Sequence, residues 1–237
     1  FMVINAANIQ KDFDWLNLQS THDVILENKS NDFSLVALQG PKSRKILSQF
    51  TDADLSLKFY SYIDAKISGK QVMLSRTGYT GELGFEIYAN GESIKYVWRQ
   101  LIEAGVKPVG LASRDILRME MKYCLYGNDI NKNTNPLEAG LSWITKFNKG
   151  NFIGRDSLLK TKKNGLNRCL VAFKFLERGI PRKDYIIQKD GNKIGIVTSG
   201  TQSPTLSKGI GIGYIDKEFS TSNIEIDIMI RNKPIKA

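Results

Sequence analysis

The most informative stretch of the chain reads Ser75-Arg76-Thr77-Gly78-Tyr79-Thr80-Gly81-Glu82-Leu83-Gly84-Phe85-Glu86. Its glycines recur every third residue, so the backbone can approach a ligand closely, with Tyr79 and Glu86 beside the loop. A P-loop needs Gly-Lys-Ser/Thr after its glycines and a dinucleotide fingerprint opens a helix, whereas this loop runs into a strand. The pattern therefore excludes both nucleotide motifs, and spacing alone favours a structural turn over a ligand site.

The segments on either side of this loop mix strands and helices. Hydrophobic patterning predicts helices over 7–18, capped near Asn8, and over 42–50, 93–104, 111–126 and 154–163. It predicts strands over 1–5, 24–26, 33–39, 59–67, 72–75 and 85–88. Because a helix does not follow every strand, an irregular α+β fold is expected instead of a doubly wound sheet.

From about residue 167 the pattern changes to short strands separated by close turns. Strands are predicted over 170–175, 185–188, 193–197, 210–214 and 224–231, with Asp190-Gly191 as a tight hairpin between two of them. So many short strands in one segment predict a small all-β barrel. We therefore expect a core domain over 1–160 and a barrel domain over 161–237, divided near the lysine-rich stretch 160–167.

Composition limits the function classes. The chain has 237 residues, 41% of them hydrophobic and 24% charged, which is typical of a globular protein. Its apolar stretches are shorter than the ~18 residues of a membrane helix. The net charge of +10 attracts anions such as nucleic acid, an acidic carrier protein or a polycarboxylate ligand. The basic residues are dispersed and not interleaved with aromatics, which argues against a nucleic-acid groove.

Cysteine and histidine usage excludes further chemistry. Cys124 and Cys169 are far apart, so the sequence predicts neither a disulfide scaffold nor a zinc cluster, and a reducing compartment fits best. His22 is the only imidazole and lies in a polar, turn-like stretch, which favours a structural role. No metal site is expected, and any chemistry depends on carboxylates, tyrosines, arginines or a bound cofactor.

The predicted helix over 111–126 carries charges among apolar residues, and these charges must be paired if they are buried. Arg114 and Arg118 share one face at a spacing of four residues. On a continuous helix Tyr123 would lie half a turn away from Arg114, so geometry alone does not join them. A buried arginine–carboxylate network and recognition of a ligand carboxylate are both consistent with this pattern.

Several groups of residues, in order along nearly the whole chain, resemble motifs of the glycine cleavage T-protein family of folate-dependent aminomethyltransferases. Besides the glycine-rich loop they are Asn5-Ala6-Ala7-Asn8 with Lys11-Asp12, Leu38-Gln39-Gly40-Pro41, Gly110-Leu111 with Arg114-Asp115, Asn133-Thr134-Asn135-Pro136 with Gly140-Leu141-Ser142-Trp143, and Thr198-Ser199-Gly200-Thr201 with Ser203-Pro204-Thr205-Leu206. The last group favours T-protein over its folate-dependent relatives.

The resemblance implies an aminomethyltransferase that takes the aminomethyl group from the lipoyl arm of the carrier H-protein. It would release ammonia and form 5,10-methylenetetrahydrofolate from tetrahydrofolate. The implied fold has several domains around a folate cavity, the last being a distorted barrel. Glu86 would hydrogen-bond the pterin ring, while Asn5, Tyr79, Arg114 and Tyr123 would line the same cavity. The implied location is the bacterial cytoplasm or the mitochondrial matrix, without a membrane or nucleic-acid partner.

The chain departs from the family pattern at both ends. The family's catalytic carboxylate lies upstream of the Asn5 motif, and an arginine expected after the last strand is absent. We therefore expect an N-terminally truncated T-protein, with no catalytic residue assignable after Phe1, that does not turn over. Two other functions stay open: a folate-dependent demethylase of the same superfamily, and a non-catalytic basic module that binds RNA or protein.

Overall fold

The computed structural model describes residues 1–21 and 23–237, so the prediction for His22 lies outside the described residues. The chain divides into two compact units, Phe1–Gly110 and Leu111–Ala237. The domain boundary predicted near residue 160 stays a prediction. In the described part of the chain, no helix is both long and apolar enough to cross a membrane.

The first unit is built on a four-stranded antiparallel sheet with the strand order β1-β4-β3-β2. Its elements are a 3₁₀ turn (Ala6–Asn8), α1 (Ile9–Gln19), β1 (Ser34–Gln39), α2 (Ser43–Leu47), β2 (Tyr62–Ile67), β3 (Lys70–Ser75), β4 (Gly84–Ala89) and α3 (Gly91–Glu103). The predicted strands 33–39, 59–67, 72–75 and 85–88 fall on β1 to β4. The sheet therefore places the glycine-rich loop between β3 and β4.

Helix α3 covers one face of this sheet. Its apolar residues Ile94, Val97 and Leu101 recur at helical spacing and are buried in the same core as β1, β3 and β4. The side chain of Asn90 accepts a hydrogen bond from the Ser93 amide at 2.9 Å and caps the first turn. Cap and periodicity agree, which is why the helix predicted over 93–104 is present.

Two strands predicted near the start of the chain are wrong. In the described residues neither 1–5 nor 24–26 belongs to a sheet, and Phe1 is 75% exposed. Apolar, β-branched composition favours a strand, but a strand also requires an edge to pair with. Asn8 does precede the first residue of α1, as predicted, but its side chain makes no capping hydrogen bond; the Asn5 side chain caps the preceding 3₁₀ turn by accepting from the Ala7 amide at 3.2 Å.

The second unit contains a six-stranded antiparallel sheet with the order β10-β9-β6-β7-β8-β5. Its elements are α4 (Leu111–Glu120), a 3₁₀ turn (Phe147–Lys149), α5 (Arg155–Asn164), β5 (Arg168–Lys174), β6 (Ile186–Lys189), β7 (Asn192–Ser203), β8 (Lys208–Asp216), a 3₁₀ turn (Lys217–Phe219), β9 (Asp227–Ile230) and β10 (Lys233–Lys236). The Leu176 amide donates to the Lys236 carbonyl at 2.9 Å. This bond links the segment just after β5 to the opposite edge strand β10, which agrees with the predicted all-β barrel.

The turns of the barrel follow local chemistry. Asp190 and Gly191 have φ values of +51° and +79° between β6 and β7, as a tight type I′ hairpin requires. The predicted hairpin is confirmed. The end of the chain, interpreted from sequence as a turn after one long strand, instead forms a second hairpin with β10 antiparallel to β9.

Strand β8 has glycine at the alternate positions 209, 211 and 213, and this face lies inside the barrel. Phe173 of β5 pairs with Gly211, and a Cβ on that glycine would come 2.3 Å from the end of the Phe173 ring. A Cβ on Gly213 would come 2.6 Å from the Ile196 carbonyl oxygen of β7. The rings of Phe173 in β5 and of Phe175 just after it occupy volume that the glycines of β8 leave empty, as in other sheets where a ring covers a glycine.

Gly213→Ala is expected to lower the free energy of unfolding by about 2 kcal/mol, since a main-chain oxygen must move to admit the methyl group. The measurement is urea denaturation. Gly110→Ala is the matched control, because the added Cβ meets no atom within 4 Å there. Equal stability of the two variants would show that the barrel interior tolerates the extra volume.

Candidate functional site

The glycine-rich loop between β3 and β4 is wrapped around the side chain of Gln39. The Gln39 amide nitrogen donates to the Thr77 carbonyl at 3.3 Å, and the Thr80 hydroxyl donates to the Gln39 side-chain oxygen at 3.2 Å. A Cβ on either Gly78 or Gly84 would lie 2.1 Å from that same oxygen. These glycines therefore make room for the half-buried amide of Gln39, which supports the structural interpretation of their spacing.

Arg76 fixes the other side of the loop. Its Nη1 donates to the Gly84 carbonyl at 2.9 Å, and its guanidinium lies over the rings of Phe59 and Phe85. Burial, followed by the nearby charge of Arg44, lowers the pKa of Arg76. Hydrogen bonds from Gln39 and Arg76 thus hold the loop from both sides. They fix the position of Gly84, where β4 begins.

Glu86 lies on β4 just after this loop, and its carboxylate is oriented by two hydroxyl groups. Thr77 donates a short hydrogen bond to Oε2, and Tyr88 donates to the same oxygen at 3.1 Å. Ser75 lies 2.9 Å from the Thr77 hydroxyl and must donate to it, because the single Thr77 proton already points at Glu86. Among residues 1–21 and 23–237 no donor bonds to Oε1, so this oxygen can accept from a ligand.

The Tyr88 hydroxyl keeps its proton and so remains a hydrogen-bond donor to Glu86. Its burial, reinforced by the charge of Glu86 and the hydrogen bond to it, raises the pKa of the Tyr88 hydroxyl well above the ordinary value. The ring of Phe1 packs edge-on against Tyr88 with centroids 5.9 Å apart. The segment that leads to Asn5 thus contacts the tyrosine that orients Glu86.

The predicted ligand residues divide between the two units. Asn5, Tyr79 and Glu86 belong to the first unit, where Tyr79 and Glu86 are half-buried and Asn5 is exposed. Arg114 and Tyr123 belong to the second unit, where Arg114 is exposed on α4 and Tyr123 follows that helix. Their roles in ligand binding stay predictions.

Helix α4 is shorter than predicted, which changes the geometry around Tyr123. The helix ends at Glu120, and Lys122 turns the chain with a φ of +56°. The Tyr123 amide donates to the Arg118 carbonyl at 2.8 Å, and Arg118 Nη1 donates back to the Tyr123 carbonyl at 3.0 Å. The half-turn separation expected on a continuous helix therefore does not apply.

Arg118 is the largest fully buried side chain in the described residues, and it is paired throughout. It donates to Asp115 at 2.7 Å, to Asp129 at 2.5 Å and to Ser199 at 2.9 Å. Burial alone lowers the pKa of Arg118, but the bonds to Asp115 and the charge of Asp129 outweigh it and raise that pKa. Of the two interpretations left open, the buried network is the one that holds for Arg118.

Sequence reasoning missed Asp129, which is completely buried and holds the centre of this network. The Leu125 amide donates to Asp129 at 2.9 Å, as do the hydroxyls of Thr198 and Ser199. Adjacent strand residues normally point to opposite faces, but the β7 register shifts between Val197 and Ser199. This bulge turns both hydroxyls toward one carboxylate.

Two other motif groups also stabilise the second unit. The Asn135 side chain accepts from the Leu137 and Glu138 amides at 2.9 and 3.0 Å, and Glu138 pairs with Arg168 at 2.9 Å. Ser203, fully buried at the end of β7, donates to Glu120 of α4 at 2.5 Å. The contacts of Asn135 and Ser203 thus account for their motifs by internal hydrogen bonding.

Metal and thiol chemistry have little support within the described ranges. No group of three His, Cys, Asp or Glu side chains there is placed to hold a metal ion. Neither Cys124 nor Cys169 is in a disulfide, and burial raises the pKa of the Cys124 thiol, which disfavours the reactive thiolate.

Comparison with known families decides the identity. Residues 1–149 match the GCVT N-terminal domain, and residues 168–237 match the glycine cleavage T-protein C-terminal barrel domain. The chain belongs to the glycine cleavage T-protein family. Both the family resemblance and the α+β fold with a C-terminal barrel are therefore confirmed.

Curated relatives within the T-protein family carry one name. An aminomethyltransferase of Halothermothrix orenii is 51% identical over 239 residues, covering 99% of this chain and 67% of the relative. Another, from Caldanaerobacter subterraneus, is 49% identical and is covered to 65% of its length by the whole of this chain. The chain thus spans about two thirds of the length of these relatives.

The fold has a solved counterpart in the same family. The glycine cleavage system aminomethyltransferase T of Bartonella henselae superposes with a TM-score of 0.88 at 32% identity, covering 98% of this chain and 64% of that one. The relatives' names support the aminomethyltransferase and neither of the two alternative functions.

The raised Tyr88 pKa predicts a loss of stability at alkaline pH. The unfolded chain ionises Tyr88 near its ordinary pKa of about 10, whereas the folded chain holds the proton to higher pH. The stability that the raised pKa of Tyr88 contributes is fully present below the ordinary tyrosine pKa. It is lost as the pH rises from there through the raised pKa of the folded state. Wild type should therefore lose more unfolding free energy than Tyr88→Phe between about pH 9 and 11.

Urea denaturation across this range makes the measurement, with Tyr62→Phe as the control because Tyr62 is exposed. Tyr62→Phe should follow the wild type. A constant difference between wild type and Tyr88→Phe at every pH would mean that Tyr88 ionises equally in both states.

Proposed function

We propose that this chain forms the folate-binding part of a tetrahydrofolate-dependent aminomethyltransferase of the glycine cleavage system. The reaction takes the aminomethyl group from the lipoyl arm of the H-protein, releases ammonia and yields 5,10-methylenetetrahydrofolate. Support comes from family membership and from the names of the relatives and of the solved structure.

The observation that carries the proposal is the carboxylate of Glu86. A pterin ring presents adjacent N–H donors along one edge, and an ionised carboxylate is the acceptor that suits them. Thr77 and Tyr88 both donate to Oε2, which fixes the carboxylate plane and leaves Oε1 for the ligand. Because these donors are in place before ligand arrives, little orientation is left to be lost on binding.

The remaining predicted residues have complementary chemistry. Asn5 and Tyr79 supply an amide and a phenol for polar groups of the pterin. Arg114 supplies a planar guanidinium that matches the carboxylates of the folate glutamate tail. Tyr123 supplies an aromatic face or a hydroxyl beside it.

What these side chains do in the reaction is bind and orient. Tetrahydrofolate supplies the ring nitrogens that accept the one-carbon unit. Glu86 holds the pterin ring in position, so that those nitrogens meet the incoming group in a fixed geometry. The group that moves the proton at the reacting nitrogen is not assigned to any residue of this chain.

Charge and location follow from the same proposal. The net charge of +10 raises the local concentration of a polyglutamylated folate and of an acidic carrier protein. The bacterial cytoplasm or the mitochondrial matrix, where the glycine cleavage system works, is the proposed location. Lipoylated H-protein is the proposed partner.

Calorimetric titration with tetrahydrofolate under anaerobic conditions tests the proposal. Glu86→Gln should bind at least about tenfold more weakly, since a charge-assisted acceptor becomes a neutral amide. Glu82→Gln is the matched control, because Glu82 is an exposed carboxylate of the same loop. Its affinity should equal that of the wild type.

Two results would overturn the proposal. One is a folded protein, verified by circular dichroism, that shows no saturable binding of tetrahydrofolate. The other is equal affinity of wild type and Glu86→Gln, which would remove the carboxylate from the ligand site.

A further inference from the structure

Arg118 is not one of the predicted folate ligands. It shares helix α4 with one of them, Arg114, and it hydrogen-bonds to the main chain of another, Tyr123. It lies on α4 four residues after Arg114, which is one turn along the same face. Only 1% of its surface is exposed, so it cannot itself contact a ligand in solvent. Its role must be exerted through its neighbours.

The first neighbour is the main chain of Tyr123. Arg118 Nη1 donates to the Tyr123 carbonyl at 3.0 Å, while the Arg118 carbonyl accepts from the Tyr123 amide at 2.8 Å. One residue thus bonds both sides of Tyr123 in the main chain. The direction in which the Tyr123 side chain leaves the backbone is fixed by these two bonds.

The second neighbour is Asp129, with the bulge of β7 behind it. Asp129 accepts from Arg118 through Oδ2, and Ser199 both accepts from Arg118 and donates to Asp129 at 2.8 Å. Thr198 donates to Asp129 as well. The guanidinium plane therefore has a single orientation, defined from the barrel, and α4 cannot rotate about its axis without breaking several of these bonds.

We propose that Arg118 is a positioning residue for folate binding. It sets the rotation of the α4 turn that carries Arg114 and the main-chain direction of Tyr123, and the bulge at Thr198 and Ser199 sets Arg118. This inference rests on the proposed function, because it assumes that Arg114 and Tyr123 meet the folate.

A buried guanidinium suits this role better than an apolar side chain would. Apolar side chains of similar volume often stabilise a fold as well as a buried ion pair does, but apolar packing has no directional preference. The guanidinium offers a rigid fork of donors, so it fixes angles as well as distances. The hydrogen bonds of Arg118 therefore fix the rotation of α4 about its axis and the main-chain direction at Tyr123.

The test compares two serines of β7 that both hold α4. Ser199→Ala removes the bonds to Arg118 and Asp129, whereas Ser203→Ala removes a buried bond to Glu120 of the same helix without touching Arg118. Arg118→Lys is the third variant, since it keeps the charge and loses the fork. The dissociation constant for tetrahydrofolate is measured by calorimetry, and folding is followed by thermal unfolding.

Ser199→Ala should weaken tetrahydrofolate binding about threefold and Arg118→Lys about tenfold, whereas Ser203→Ala should stay within about twofold of wild type despite a lower unfolding temperature. A purely structural role would move Ser199→Ala and Ser203→Ala alike. Equal affinities for the two serine variants, or wild-type affinity in Ser199→Ala, would overturn the inference. If Arg118→Lys does not fold, the serine pair still decides.

The two proposals fail in different ways. Absence of tetrahydrofolate binding by the folded wild type, or full binding by Glu86→Gln, removes the proposed function and the inference with it. Binding that depends on Glu86 but not on Ser199 or Arg118 removes the inference alone.

Discussion

The second unit depends on the buried pair of Arg118 and Asp129. Both side chains are removed from water, which is costly unless every donor and acceptor finds a partner. The partners come from three places: the last turn of α4, the loop that follows it and the bulged strand β7. Loss of one partner would leave a buried donor or acceptor unpaired, so the elements that supply them are tied to a single arrangement.

In the first unit, too, polar side chains hold an irregular segment through its main chain. Gln39 enters the glycine-rich loop from β1 and bonds to its main chain, while Arg76 bonds to it from the opposite side. In both units a polar side chain of a neighbouring element, Gln39 of β1 or Arg118 of α4, bonds to the main chain of an irregular segment and so fixes its conformation. Glu86 and Tyr123 each lie next to such a segment, which gives their positions a physical basis.

The sequence predicted those features whose cause is local. The hairpin at Asp190-Gly191 follows from two residues that tolerate positive φ, and α3 follows from its cap and its periodicity. Features that depend on tertiary contacts were missed: residues 1–5, expected as a strand, pair with no strand of the described chain, and the helix expected to 126 ends where Arg118 bonds Tyr123. Asp129 carries no local signal, because its partners are separated from it by up to 70 residues. Glu86 was found through the family motif, whereas the hydroxyls that orient it were visible only in three dimensions.

The contact between the segment after β5 and β10, the seam of the barrel, affects how the domain opens. Neighbouring strands of the sheet are joined by antiparallel ladders, but the segment just after β5 meets β10 through the hydrogen bond from the Leu176 amide to the Lys236 carbonyl. A ladder of many bonds yields only as a whole, whereas a short seam opens by local fluctuation and exchanges its amide hydrogens early. Opening there leaves the main-chain donors and acceptors after β5 without that partner, and an unpaired strand edge is a template for pairing with another chain. We therefore expect association of heated or crowded protein to begin where this domain closes.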